Sequence, residues 1–242
     1  MALTAVWLFS CAVAAAAQEI TKVEEAGISY RVIVAAPSQI RVVWKDEKQN
    51  QLKQIPAADA YLRRNGEDPV MITNGGIYEP GLVPSGLLIQ EGKEMNPVNR
   101  RKGKGNFFLQ PNGIFLIRDG KAEVLDTVDY RGGTGVSFAV QSGPLLLKGG
   151  KTHPVFKANS KYRLHRNGTG VRKDGKVIIA ITDFRQAKLP TLHDFADFFR
   201  RKGCDDALFL DGDISLMRGR GELGKRGNPF ASMIAVVAEA RG

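Results

Sequence analysis

Carboxylates, amides and small residues recur in this chain where apolar runs break off. The stretch "LFLDGDIS" (208–215) is apolar to Leu210, then stops at Asp211, Gly212, Asp213 and Ser215. Such a stretch fits a turn, a cation site or a catalytic centre. Three further stretches share the pattern: "ITNGGIYE" (72–79), "VQSGP" (140–144) and "HRNGTGV" (165–171). Glycine at these points lets the backbone bend sharply and approach a ligand closely. Strand ends on one side of a sheet are common places for a site. Taken singly, each stretch also reads as an ordinary turn. A calcium site at Asp211 and Asp213 would need more oxygen ligands than the stretch supplies, and there is no EF-hand loop. His153, His165 and His193 are too scattered for a zinc site. No metal or other cofactor is expected.

The elements that must position these residues are short strands with Gly-rich turns. Residues 30–36 and 39–46 alternate and read as a hairpin around Pro37-Ser38. Residues 55–66 read as a short helix closed by Gly66, and 70–76 as a buried strand breaking at a double glycine. Residues 86–96 hold a strand and the turn Glu91-Gly92, and 106–117 read as two strands around Pro111-Asn112-Gly113. Strands are expected within 137–150, 176–184, 206–210 and 233–240. One clear helix spans 190–203. It starts with Thr191 and Asp194 in a capping-box arrangement and carries Leu192, Phe195, Phe198 and Phe199 on one face. Arg200, Arg201 and Lys202 suit its C-terminal end, and Gly203 follows. Scarce helix and many strands predict an α+β domain on a mixed, mostly antiparallel sheet.

Together, the four stretches resemble the phosphodiester glycosidase domain, the family of the lysosomal "uncovering enzyme". The resemblance rests on Asn74-Gly75-Gly76-Ile77, Gln141-Ser142-Gly143-Pro144-Leu145-Leu146, Arg166 to Gly170-Val171, and Leu210-Asp211-Gly212-Asp213-Ile214-Ser215, in that order, and covers roughly residues 70–240. It implies a hydrolase that splits a sugar from a sugar-1-phosphodiester. Asp213 departs from the family pattern, which has glycine there. Arg166-Asn167-Gly168-Thr169-Gly170 stands where the family has a less polar run.

The chemistry of the residues is compatible with that activity. Loss of phosphate from an anomeric carbon passes through an oxocarbenium-like state that carboxylates stabilise. A phosphate monoester leaves readily, so a cation that neutralises it can supply much of the help. Arginine suits this because its fork grips two phosphate oxygens. Arg166 is therefore the expected phosphate ligand and Asp211 the expected base or oxocarbenium stabiliser. Asp183 and Glu79 are candidates for a second carboxylate. Asn74, the amides of Gly75 and Gly76, Ser142, Gly212 and Ser215 are expected substrate-binding groups. Each has a plainer alternative as a turn, cap or solvated residue.

The 242 residues suffice for one substantial domain without staples. Residues 1–17 lack any charged side chain and end in Ala15-Ala16-Ala17, which reads as a secretory signal. The expected location is therefore secreted or periplasmic, with one domain over 18–242. Cys11 lies in the leader only loosely like a lipoprotein site, and Cys204 reads as a buried, inert thiol. The net charge of +10 favours anionic partners. Helix-turn-helix, zinc-finger and RNP-type signals are all missing, so nucleic acid is not expected. A phosphorylated sugar or glycan is the expected partner, with an anionic envelope surface as a second. A non-catalytic module that binds anionic glycan is the competing reading.

Overall fold

The structure is a computed structural model that describes residues 19–239. The leader and Cys11 lie outside the described residues. Two ten-residue helices, α1 (Ile55–Arg64) and α2 (Leu192–Arg201), accompany the strands. Every named strand pair among the described residues is antiparallel, in keeping with the α+β, mostly antiparallel expectation.

The largest sheet has seven strands. At its centre Asn167–Arg172 pairs on one side with Val177–Thr182 and on the other with Cys204–Asp211. A five-stranded sheet is built around Gly113–Arg118 and Val136–Ser142, and a four-stranded sheet around Pro69–Asn74 and Met233–Val237. One core lies between all three. Leu208, Leu210, Ile179 and Ile181 enter it from the first sheet, Phe115 and Val140 from the second, and Met71 and Ile234 from the third.

Strand side chains alternate between faces, so the seven-stranded sheet buries its other face as well. Ala207, Phe209, Ile178 and Ala180 point away from the central core and are covered by Phe195, Phe198 and Phe199 of α2. This explains the continuous apolar runs "VIIAI" and "ALFL", which would otherwise leave one face wet. The helix begins as the sequence predicts. Thr191 Oγ1 accepts from the Asp194 amide at 3.0 Å, and Asp194 accepts in turn from the Thr191 amide at 3.0 Å. Gly203 follows with φ +85°, a left-handed turn that favours glycine.

Two sequence expectations change. Residues 30–46 do not form a hairpin. Ile28–Ala35 joins the seven-stranded sheet and Ile40–Val43 the four-stranded one, with a short 3₁₀ turn at Pro37–Gln39 as the corner between them. Alternation marks both strands, but it cannot say which neighbour each one chooses. Residues 106–117 hold one strand rather than two. Asn106–Phe108 is a 3₁₀ turn, and Asn112 ties the loop by donating to Phe107 O at 2.7 Å.

The site strand Asn167–Arg172 lies directly against α2. A Cβ at Gly168 would stand 2.9 Å from Leu208 O and 2.9 Å from a Phe195 ring carbon. Gly168→Ala should therefore lift α2 and cost about 1–3 kcal/mol. Gly221→Ala, where a Cβ meets nothing within 4 Å, serves as control. Thermal melting of the two variants is the check: equal melting temperatures would mean that α2 is not seated this tightly.

Candidate functional site

Four strand ends meet at one end of the sheets. Pro69–Asn74 delivers Asn74, Val136–Ser142 delivers Ser142, Asn167–Arg172 begins just after Arg166, and Cys204–Asp211 ends at Asp211. The register sets Asn167 opposite Asp211.

The Asn74 carboxamide is buried and joins three segments. Its Oδ1 accepts from Asn167 Nδ2 at 3.0 Å and from the Leu216 amide at 3.0 Å, and its Nδ2 donates to Ser215 Oγ at 3.3 Å. Asn167 Nδ2 also reaches Asn74 O at 3.1 Å. Ser142 is fully buried and donates to Leu210 O at 2.8 Å, while accepting from the Ile77 amide at 3.3 Å. It thus joins the end of the Asp211 strand to the turn after Gly76. Gly75 and Gly76 are glycines for lack of space. A Cβ at Gly75 would lie 2.4 Å from Ser232 Oγ, and one at Gly76 would lie 2.6 Å from Gln141 O.

Arg166 is the sole buried arginine among the described residues. Its guanidinium lies over the Phe209 ring at 5.6 Å from the centroid, and one terminal nitrogen donates to Tyr162 O at 3.4 Å. Its Nε has no hydrogen-bond partner, and no carboxylate lies within ion-pair distance. Burial pulls its pKa down to about 10, opposed by the charge of Asp213. A buried cation without a paired anion is costly. Arg31, Arg41 and Arg163, all more exposed, each have a carboxylate partner.

Asp211 is the complementary group. Burial pushes its pKa up to about 6; the Gly212 amide, 2.7 Å from Oδ1, opposes this, and the charge of Asp213 adds to it. The charge of Asp211 in turn helps raise the Tyr78 hydroxyl, behind burial as the larger cause. Asp213 therefore acts electrostatically on both Arg166 and Asp211. It accepts from the His165 amide at 3.2 Å, beside Arg166. Four buried polar atoms at this corner lack partners: Arg166 Nε, Asn167 Oδ1, His165 Nδ1 and Ser232 Oγ. Each such group costs about 1–3 kcal/mol when left unmade, so their concentration here marks a place where the fold is not optimised for its own stability.

Other candidates stay apart from this group. The Asp183 carboxylate faces Lys22 at 3.8 Å and the Arg185 amide at 3.1 Å. Glu79 is exposed on a two-stranded ribbon and accepts from Ser85 Oγ at 2.9 Å. Neither has a hydrogen bond or ion pair with Asn74, Arg166 or Asp211. Ser215 is buried as the acceptor for Asn74, and Gly212 supplies an amide to Asp211. Sequence reasoning missed Asn167 and Tyr78. Asn167 stands beside Arg166 in the motif and counted only as a departure. Tyr78 closes the "NGGIY" run. Cys204 is buried, with its thiol pushed up to about 12 by burial, as expected of an inert cysteine.

A cavity of about 960 Å³ lies elsewhere. It is lined by Ala35, Ala36 and Lys176, at the opposite end of strands whose near ends carry Tyr30 and Thr182. On its wall Arg31 pairs with Glu222 at 3.2 Å and Arg220 with Asp68 at 2.8 Å, and the remaining charges, Glu19, Lys176 and Glu239, are exposed. That cavity has the volume, but the buried charge without an ion pair is Arg166, and such a charge is the better guide to an anionic ligand. No cluster of metal-ligating side chains is found among the described residues.

Against known proteins, the profile of the phosphodiester glycosidase family matches residues 67–236. The chain belongs to the phosphodiester glycosidase family. The uncharacterized protein YigE of Escherichia coli K12 is 30% identical over 200 residues, covering 82% of this chain and 77% of that protein. Among solved structures, the zebrafish N-acetylglucosamine-1-phosphodiester alpha-N-acetylglucosaminidase catalytic domain, auto-inhibited by its pro-peptide, aligns with a TM-score of 0.64. It is 15% identical over 92% of this chain and 82% of that one. A hypothetical protein from Synechocystis aligns with a TM-score of 0.55 at 11% identity, over 92% of this chain and 62% of that one. The structural likenesses establish the fold, and the family is one of glycosidases acting on phosphodiester-linked sugars.

Two measurements test the site as built. Asn74→Ala removes the acceptor for Asn167 and the Leu216 amide, and should destabilise by about 2–4 kcal/mol in denaturant unfolding. A loss below about 0.5 kcal/mol would deny it the linking role. Asp211 has a folded pKa near 6 and an unfolded value near 3.8. The native state therefore holds the proton more tightly, and stability falls as pH rises from about 4 through 6. Asp211→Asn should raise stability at pH 7 by up to roughly 2–3 kcal/mol and by little at pH 4. An equal change at both pH values would contradict a buried, raised carboxyl.

Proposed function

We propose that this chain is an exported hydrolase that cleaves a sugar from a sugar-1-phosphodiester. The observation that carries this reading is Arg166, a buried arginine with an unpaired Nε and no carboxylate partner, just ahead of the strand residue Asn167 that the register sets opposite the half-buried Asp211. The guanidinium neutralises the phosphate as the bond from anomeric carbon to oxygen breaks, and the phosphate monoester leaves with the electron pair. Water adds its oxygen to the anomeric carbon, and its proton passes to the Asp211 carboxylate. Between these events the carboxylate stabilises the oxocarbenium charge. Against the sequence expectation, the Gly75 amide already donates to Ser232 O at 2.8 Å, which leaves Gly76 on the same turn as the candidate donor to the sugar or phosphate. Asn74, Asn167, Ser142 and Ser215 act chiefly by holding the strand ends in place. Neither Asp183 nor Glu79 is needed in this scheme. The apolar leader supports export, to a periplasmic or secreted location.

Asp213 fits this reading as a tuning group. Its charge offsets part of the cost of burying Arg166 and raises the pKa of Asp211.

The decisive experiment is hydrolysis of a panel of sugar-1-phosphodiesters by the purified protein. Asp211→Asn should lower kcat at least ~10³-fold, and Arg166→Gln should lower kcat/KM about 10²–10³-fold, each with its fold retained by circular dichroism. Activity untouched in both variants would refute the assignment, and binding without turnover would favour an anionic glycan-binding protein instead. Asp211 works as the carboxylate, so kcat/KM should climb with pH to a plateau above about pH 6. In Asp213→Asn the rising limb should move to lower pH, because a like charge is removed. A limb that stays in place would mean that Asp213 does not act on Asp211.

A further inference from the structure

The rim of this site is unusually apolar for an exposed surface. Seven large hydrophobic side chains are exposed among the described residues, and four of them flank Arg166: Tyr162 (81%), Phe184 (45%), Leu164 (41%) and Ile214 (38%). Contacts tie their segments together. Tyr162 O accepts from the Arg166 guanidinium at 3.4 Å. The ring of Phe184 stacks on His165 at 4.1 Å, and His165 donates its amide to Asp213, the neighbour of Ile214. Exposed apolar groups that gather in one place mark a binding surface. Their position says which part of a ligand they meet. Their segments are tied to Arg166, His165 and Asp213, and in the hydrolase reading Arg166 holds the phosphate, so the rim they form meets the group beyond that phosphate. Leu164 and Ile214 are branched aliphatic chains, which suit hydrocarbon better than the face of a sugar ring.

We infer that the group esterified to the far side of the substrate phosphate is a hydrocarbon chain, so that the substrate is a lipid-phosphate-sugar and the leaving group a lipid phosphate. This rests on the hydrolase reading above and names its substrate class. The bonds made and broken are unchanged: the anomeric C–O bond is hydrolysed, and the phosphate–lipid ester stays intact.

The test compares two substrates with the same sugar, one carrying a ten-carbon prenyl group on the phosphate and one a methyl group, both below micelle-forming concentrations. For the unaltered protein the ratio of kcat/KM, prenyl over methyl, should exceed about 10. In Leu164→Ser/Phe184→Ser it should fall at least fivefold. Both side chains are exposed, and an unchanged melting temperature confirms the fold. A ratio near one in the unaltered protein, or the same ratio in the variant, overturns the inference while leaving the hydrolase reading intact. So does an equal loss on both substrates, which would put the rim against the sugar. If neither substrate is cleaved, the hydrolase reading falls separately, and calorimetry decides the subsite. Prenyl phosphate should then bind at least tenfold tighter than methyl phosphate, with that advantage lost in the double variant. Equal binding of the two phosphates would overturn it.

Discussion

The site depends on one buried carboxamide. Asn74 ends a strand of the four-stranded sheet, yet its side chain bonds to Asn167 in the seven-stranded sheet and to the loop at Ser215 and Leu216. Those bonds cross sheets that hydrophobic packing alone would bring together without fixing their offset. Apolar contact is non-directional, but a hydrogen bond of 3.0 Å is not. Asn74 and Asn167 thus convert a core that could slip into a frame with one register, and Ser142 does the same for the third sheet through Leu210 O. The strand ends that carry Arg166 and Asp211 are thus held in place by the amides and hydroxyls of other residues.

This frame supports an electrostatic arrangement the chain would not adopt for stability. Arg166 is buried without an ion pair, Asp211 is half-buried with its proton affinity raised, and Asp213 stands near both. Stable proteins usually pair such groups or keep them in water. Here the pairing is incomplete, and unmet polar atoms collect at the same corner. Elsewhere the molecule satisfies its charges closely, as at Arg31 with Glu222 and Arg41 with Glu67. The contrast within one molecule argues that the corner is specialised for a ligand.

Much of this was legible in the sequence, for identifiable reasons. The second helix could be read because its cap, its aromatic face and its terminal glycine are all local signals. The four site stretches could be read because glycine beside a polar residue at a strand end is a local signal too. Residues 30–46 misled because both strands alternate properly, while Ile28–Ala35 pairs with Thr21–Glu25 before it and with the distant Val177–Thr182, and Ile40–Val43 pairs with the distant Met233–Val237. Asp183 and Glu79 looked as eligible as Asp211, since all three are carboxylates at strand ends. Only the fold shows that Asp183 faces Lys22 and Glu79 faces Ser85, whereas Asp211 faces little but the Gly212 amide. Asn167 could not be singled out, because its value lies in reaching Asn74, ninety-three positions earlier.

Arg166 and Asn167 are adjacent, but their side chains leave the backbone in opposite directions. One lies over Phe209 toward α2, and the other bonds Asn74 toward the four-stranded sheet. The strand therefore works as a partition between an electrical compartment and a scaffolding compartment. Substitutions around Arg166, Asp213 and Phe184 can alter the charge and shape of the electrical compartment without disturbing the amide lattice behind it. Asp213, bonded to the His165 amide, places its charge in the first compartment and leaves the second untouched.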